Sequence, residues 1–196
     1  ELNGGTLQGS GTIGYEKGQL VNTAITLQAR DFYLDFPEGL KTVSNATLDI
    51  RNRVENLIIG GEVRIQEGGF TDDIDLDRGV LAILNRTGGV ELTGEKNPLL
   101  ERVRFNLGIV TETPLIIENN LARVEATADL RLLGTPYQLG MSGRLILDEG
   151  GEIRLQERRY AIERGVITFT GERSIEPSLD ILATTAAGGY DVRLQI

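Results

Sequence analysis

The chain has 196 residues, of which 40% are hydrophobic, and its 20 Lys and Arg against 29 Asp and Glu give a formal net charge of −9. It has no cysteine and no histidine, which excludes disulfides, thiolate metal sites and the commonest general base. No basic cluster is longer than Arg158-Arg159, which argues against a nucleic-acid partner, and we expect a non-enzymatic protein without a metal or cofactor.

Apolar and polar residues alternate along almost the whole chain, which is the two-residue period of strands with one dry face. In chain order the alternating apolar positions are Ile25/Leu27/Ala29, Phe32/Leu34/Phe36, Leu48/Ile50, Val63/Ile65, Val90/Leu92, Val103/Phe105/Leu107/Ile109, Leu115/Ile117, Val124/Ala126/Ala128/Leu130/Leu132, Tyr137/Leu139/Met141, Leu145/Leu147, Ile153/Leu155, Ile167/Phe169, Leu179/Ile181/Ala183 and Val192/Leu194. No stretch of ten residues keeps a helical period. We therefore predict an all-β chain of about thirteen strands.

Pairs of glycines or asparagines separate many of these runs and predict turns. They are Gly4-Gly5, Gly60-Gly61, Gly68-Gly69, Gly88-Gly89, Asn119-Asn120, Gly150-Gly151 and Gly188-Gly189. Two of them open nearly identical phrases, GGEVRIQE at 60–67 and GGEIRLQE at 150–157, each followed by an RGV triplet. This repetition indicates that the chain reuses one strand-and-turn unit, although similar strands also favour similar residues without any repeat.

Strands that are apolar on one side only are compatible with two arrangements. A closed β-sandwich packs the dry faces against each other, and a long sheet curled into a U-shaped trough turns them towards a shared lumen. Large aromatic side chains usually contribute to sandwich cores, and this chain has five Phe, five Tyr and no Trp. The periodicity alone leaves sandwich and groove open.

Two charged segments raise further possibilities. The alternating carboxylates of Asp72-Asp73-Ile74-Asp75-Leu76-Asp77 could gather calcium, but a solvated acidic face is the simpler interpretation. Glu157-Arg158-Arg159 interrupts the alternation and predicts a bulge or turn that carries surface charge, with a lipid-headgroup contact as an alternative role for its arginines.

An ordered set of motifs near the end of the chain carries a family resemblance. These motifs are RRYAIERGVITF at 158–169, IEPSLDI at 175–181 and YDVRL at 190–194. Their order and spacing resemble the C-terminal region of the TamB family, within the wider AsmA-like group of bridge proteins. The resemblance covers 143–196 best and is general before that.

The resemblance implies an elongated, curled β-sheet, the β-taco, with a hydrophobic concave interior. It further implies a bridge across the periplasm of a Gram-negative bacterium, anchored in the inner membrane in the full-length protein. Such bridges are associated with phospholipid transport to the outer membrane and with outer-membrane protein assembly. The resemblance implies that a TamA-like outer-membrane barrel is contacted by regions outside this chain. We expect residues 1–196 to form a single β-groove segment, a fragment of a longer periplasm-spanning protein.

Within that groove we predict twelve apolar side chains that line a path for phospholipid acyl chains. They are Val63, Ile65, Leu145, Leu147, Ile153, Leu155, Ile167, Phe169, Leu179, Ile181, Val192 and Leu194. The alternative is that the same side chains fill a closed interior, in a structural β-solenoid or adhesin-type module that transports no lipid.

Overall fold

The computed structural model describes residues 4–17, 19–35, 39–53, 56–73, 97–155, 158–171, 173–187 and 190–195. Over these residues the chain forms twelve strands and one helical turn. They are β1 (Thr6–Glu16), β2 (Gln19–Asp35), β3 (Leu40–Arg53), β4 (Asn56–Phe70), α1 (Pro98–Glu101), β5 (Val103–Thr111), β6 (Leu115–Glu118), β7 (Ala122–Thr135), β8 (Gln138–Leu147), β9 (Glu152–Leu155), β10 (Arg158–Gly171), β11 (Pro177–Ala187) and β12 (Tyr190–Gln195). The all-β prediction is confirmed, and the strand predicted at Val90/Leu92 lies outside the described residues.

All twelve strands belong to one sheet with ten rows, in the order β1-β2-β3-β4-β5-β7-β8-β10-β11-β12. β6 continues the row of β5 between β4 and β7, and β9 continues the row of β8 between β7 and β10. The sheet is curled but does not close on itself, so β1 and β12 remain its two edges. The prediction of an elongated curled sheet is confirmed over a closed sandwich or a solenoid.

Neighbouring strands run antiparallel, except that β4 runs parallel to both β5 and β6. Parallel neighbours need a long connection because the chain must return to the starting end of the sheet. Here that connection is 71–102. Its first part is held where Asn120 donates its backbone N–H to Asp73 Oδ1 (3.2 Å), and its last part where Asn97 donates its backbone N–H to the Tyr137 hydroxyl (2.7 Å).

Irregularities in successive strands lie next to one another and cross the sheet as a line. Three register shifts among the described residues lie on this line. The first is in β2 between Ala29 and Phe32, the second is in the pairing of β3 with β4 at 43–44, and the third is in β10 between Ile162 and Arg164. The gaps between β5 and β6 and between β8 and β9 fall on the same line, bridged by hydrogen bonds from Glu112 N to Ile65 O and from Ile162 N to Gly151 O. Because a bulge bends its strand, an aligned series of bulges bends the sheet. We call this the fold line.

The fold line divides the strands into two walls. The first wall contains β5, β8 and the strand halves beside them, and the second wall contains β6, β9 and the halves beside those. The most deeply buried side chains lie next to the line, among them Ser44, Ala126, Ala183 and Ile162, which is 1% exposed. Most of them are small, which lets the two walls approach closely at the floor.

β7 shows which face is the inner one. Val124, Ala126 and Ala128 are buried, whereas the residues between them, such as Glu125 and Thr127, are exposed. A single sheet layer can bury one face only by curling over it. The apolar face is therefore the concave one.

Several local predictions need correction. β1 was not predicted, because its inner positions Gly9 and Gly11 carry no side chain and hide the alternation. The runs Ile25–Ala29 and Phe32/Leu34 fall in the single strand β2, while Phe36 lies outside the described residues, and β8 likewise contains both Leu139/Met141 and Leu145/Leu147.

The predicted turns at Gly60-Gly61 and Gly68-Gly69 are also wrong, since both pairs lie inside β4. In contrast, Gly150 does lie in a turn before β9. The two repeated phrases thus occupy a long central strand and a four-residue strand, and they do not mark one reused strand-and-turn unit. Each nevertheless places its alternating aliphatic pair on the inner face.

Candidate functional site

The register places all twelve predicted groove residues on the inner face of the one sheet. Residues directly opposite each other in a ladder share a face, so the pairs can be followed from strand to strand. The pairs that connect the twelve are Val63–Ile109, Ile65–Thr111, Ile109–Leu130, Leu130–Gly143, Phe169–Gly143, Ala128–Leu145, Ala126–Leu147, Ile167–Leu145, Gly165–Leu147, Ile167–Leu179, Gly165–Ile181, Ala122–Ile153, Tyr160–Ile153, Arg158–Leu155, Ala183–Leu194 and Thr185–Val192.

Exposure within this set depends on the distance from the fold line and on the distance from the β12 edge. Ile65, Leu147 and Ile181 lie beside the line and are buried. Leu179 and Val192, nearer the β12 edge, are 42% and 37% exposed. The other seven are half-buried, namely Val63, Leu145, Ile153, Leu155, Ile167, Phe169 and Leu194. The floor is thus closed by its own side chains, while the walls above it keep apolar surface accessible.

The inner face carries two apolar clusters. An N-terminal cluster is centred on Ala29, Phe32 and Ala46, with Leu34, Leu48 and Val63 packed against it. A C-terminal cluster is centred on Val124, Ala126, Leu147, Ile162 and Ile181, with Ile117, Ala122, Leu145, Ile153 and Ile167 around it. Both clusters extend along the sheet and through both walls.

Hydroxyl groups lie between the two clusters. The Ser44 hydroxyl donates to Thr42 Oγ1 (3.3 Å), and the Ala128 backbone N–H donates to Thr111 Oγ1 (3.0 Å). These bonds satisfy polar groups at a floor position where Ser44 and Thr111 flank Ile65. The apolar lining is therefore continuous along the walls but is interrupted at the floor.

Several inner-face side chains were absent from the predicted site. Leu27, Leu48, Ile59, Phe70, Phe105, Leu107, Leu132 and Met141 share the inner face by their pairing. The same alternation could have identified them. Ile162, the largest fully buried side chain among the described residues, is different, because the bulge that follows it shifts the alternation by one residue and hides it.

The outer face is mostly polar and carries exposed ion pairs, such as Arg64 Nε to Glu62 Oε1 (2.6 Å) and Arg164 Nη2 to Asp180 Oδ1 (3.0 Å). Pairs of this kind add little stability. Ile116 and Ile146 are the exposed aliphatic exceptions on this face. They provide outer-face reference positions against which inner-face behaviour can be measured.

The acidic segment 72–77, for which a solvated face was preferred over calcium binding, is only partly described, since Asp75 and Asp77 lie outside the described residues, as does Glu157 of the predicted bulge. Asp73 accepts a hydrogen bond from Asn120, as given above. Within the described ranges, no group of three acidic side chains could hold a metal ion. No helix in that part of the chain is long and apolar enough to cross a membrane.

Comparison with known proteins gives one family. The family model described as TamB C-terminal domain matches residues 1–196, the full length of the chain. None of the curated proteins matches the chain.

Proposed function

Because the chain belongs to the TamB family, we propose that it is a lipid-conducting segment of a periplasmic bridge. The family consists of non-enzymatic envelope proteins with a role in outer-membrane protein assembly. The finer proposal is that phospholipid acyl chains move along the inner face of this sheet between the inner and outer membranes.

One observation carries the proposal, namely that most apolar residues of the rows share a single concave face of an open sheet. A filled core would need a second layer to cover the walls. The apolar side chains of both walls are instead half-buried. Between the strands of Val63 and Leu194 they leave apolar surface that an acyl chain can contact.

The energetics favour such a path. Exposing one CH₂ group to water costs about 0.8 kcal/mol, so a long acyl chain costs on the order of 10 kcal/mol in water. A groove lined by Leu, Ile and Val offers nearly the same environment as the bilayer interior. Acyl chains therefore stay close to iso-energetic with the membrane, and weak, non-selective contacts permit sliding.

The size of the segment fits one section of a longer bridge. Ten rows at a strand spacing of about 4.8 Å extend roughly 45 Å along the groove. We propose that the full-length protein supplies further sections and the inner-membrane anchor. We further propose that contact with a TamA-like barrel is made by regions outside these residues.

A photocrosslinking residue at Ile153 in the full-length protein tests the proposal in cells. Ile153 is on the inner face, whereas Ile146, in the same row, is exposed on the outer face and is the matched control. We expect phospholipid adducts at position 153 and few at 146. Only protein-internal crosslinks at 153, or equal lipid labelling at both positions, would refute lipid conduction.

A further inference from the structure

The rim of the second wall contains a turn with an unused hydrogen-bond donor. Asn119 lies in the turn between β6 and β7 and is only 6% exposed. Its Oδ1 accepts the backbone N–H groups of Leu121 and Ala122, both at 2.9 Å. These two bonds fix the amide orientation, and Nδ2 is then buried without a partner.

Arg154 of β9 packs against this turn and has a second unused donor. Its Nη1 donates to the backbone oxygen of Asn119 (3.2 Å), and its backbone N–H donates to Leu121 O (2.7 Å). Its Nε is buried and has no partner. A buried donor without an acceptor is unfavourable, so two of them on neighbouring side chains indicate that an acceptor belongs at this rim.

The charge distribution at the same rim points to an anion. Arg159 of β10 lies directly opposite Arg154 in the ladder, and like charges in that position repel. Arg158 precedes it at the start of β10. None of these three arginines makes an ion pair with another described residue.

Among the described residues, the nearby carboxylates have other partners or lie opposite another arginine. Glu118 pairs with Arg123 (3.7 Å), Glu152 lies opposite Arg123, and Asp73 accepts from the backbone of Asn120. In a chain of net charge −9, three arginines that make no ion pair with another described residue lie at one rim and form a local cationic patch.

We propose that this rim, formed by Arg154, Arg159 and the Asn119 turn, binds a phosphate group. A phosphate oxygen between the two guanidinium groups neutralises their repulsion and accepts N–H donors that otherwise have no partner. Ile153 and Leu155 of the same strand face the groove, whereas Arg154 and Arg159 lie on the outer face, so a phosphate held here lies across the rim from the apolar wall. A phospholipid whose headgroup lies at the rim and whose tails turn into the groove fits both features, and that choice of source rests on the proposed function.

The test compares four probes by calorimetry on the 196-residue chain. Dihexanoyl phosphatidylglycerol below its micelle concentration has phosphate and tails, dihexanoylglycerol has tails only, and glycerol 3-phosphate and inorganic phosphate have no tails. The variant R154Q/R159Q removes the patch. The control R30Q/R144Q removes the same charge from two exposed arginines outside the rim.

We expect the phospholipid to bind at least tenfold more tightly than dihexanoylglycerol, and the rim variant alone to abolish that difference. Arg159→Gln, which leaves the Arg154 bond to Asn119 intact, should lower the preference severalfold if the double variant fails to fold. Equal binding of both lipids by the native chain, or equal effects of the rim and control variants, would overturn the phosphate site.

The two proposals fail separately. If glycerol 3-phosphate and inorganic phosphate bind in a rim-dependent manner but neither lipid binds, the phosphate site stands and the acyl groove does not. If both lipids bind equally well in native and rim-variant chains, the groove stands and the phosphate site does not.

Discussion

Adjacent glycines in β4 have different structural requirements. Gly61 has a φ of +123°, a conformation that L-residues rarely adopt, and a Cβ added there would overlap the Thr47 carbonyl oxygen. At Gly60 the nearest atom to an added Cβ is Asn106 O at 3.4 Å. The sequence shows only a Gly-Gly pair, so neither the strand interior nor this asymmetry could be predicted from it.

Gly61→Ala is therefore expected to lower the free energy of unfolding by about 1–3 kcal/mol or more, because backbone strain adds to a steric overlap. Gly60→Ala is the matched control and should change it by less than about 1 kcal/mol. Urea denaturation of the two variants measures both values. Equal destabilisation would contradict the assigned backbone conformation at Gly61.

Ile162 shows how much stability resides at the fold line. It is fully buried in the C-terminal cluster, beside the bulge of β10. Ile162→Ala should cost about 2–5 kcal/mol, since the cavity cannot be filled by solvent. Ile146→Ala on the exposed outer face should cost about 0.5 kcal/mol. Chemical denaturation checks the contrast, and similar losses would mean that the floor is not packed as described.

The strands themselves were largely predictable, since a two-residue period needs only the order of apolar and polar residues. The bulges within strands and the connections between strands were not predictable. The bulge after Ala29 leaves no signal in the composition, so the sequence pattern predicts two separate strands where the structure has one. The parallel pairing of β4 with β5 depends on the route of the connection at 71–102, which local sequence does not encode.

β1 is an edge strand with little protection, since its one charged residue is Glu16 at its end and its one irregularity lies between Thr12 and Gly14. Leu7, Ile13 and Tyr15 are exposed on it, and β2 is its only strand partner among the described residues. β12, the opposite edge, is shorter and carries Asp191 and Arg193. Edge strands with few charges pair readily with other strands, so β1 is the edge more prone to association.

On its own, the 196-residue chain should therefore self-associate in a concentration-dependent manner, and Ile13→Lys should reduce that association. Ile146→Lys on the outer face is the control and should leave it unchanged. Sedimentation velocity over a concentration series measures the effect. Association that persists in Ile13→Lys and disappears in Ile146→Lys would place the contact on the outer face instead.

At the level of the whole molecule, the sequence predicted the membership of one face but not its curvature. Alternation alone assigns Leu145 and Ile167 to the apolar face of their strands. The strand register then places the apolar faces of neighbouring strands on the same side of the sheet. Curvature comes from bulges and gaps that coincide in three dimensions, as at Ile65 and Glu112, although they are far apart in sequence. Pattern reasoning therefore left groove and sandwich open until the sheet was known.

The most direct measurement of the central claim is paramagnetic broadening of assigned methyl signals by a short-chain phosphatidylcholine with a nitroxide in its acyl tail. If acyl chains enter the concave face, the inner-face methyl groups of Leu145, Ile153 and Ile167 broaden, whereas those of the outer-face residues Ile116 and Ile146 stay sharp. Broadening confined to the outer face, or equal on both faces, would contradict an acyl-accessible groove.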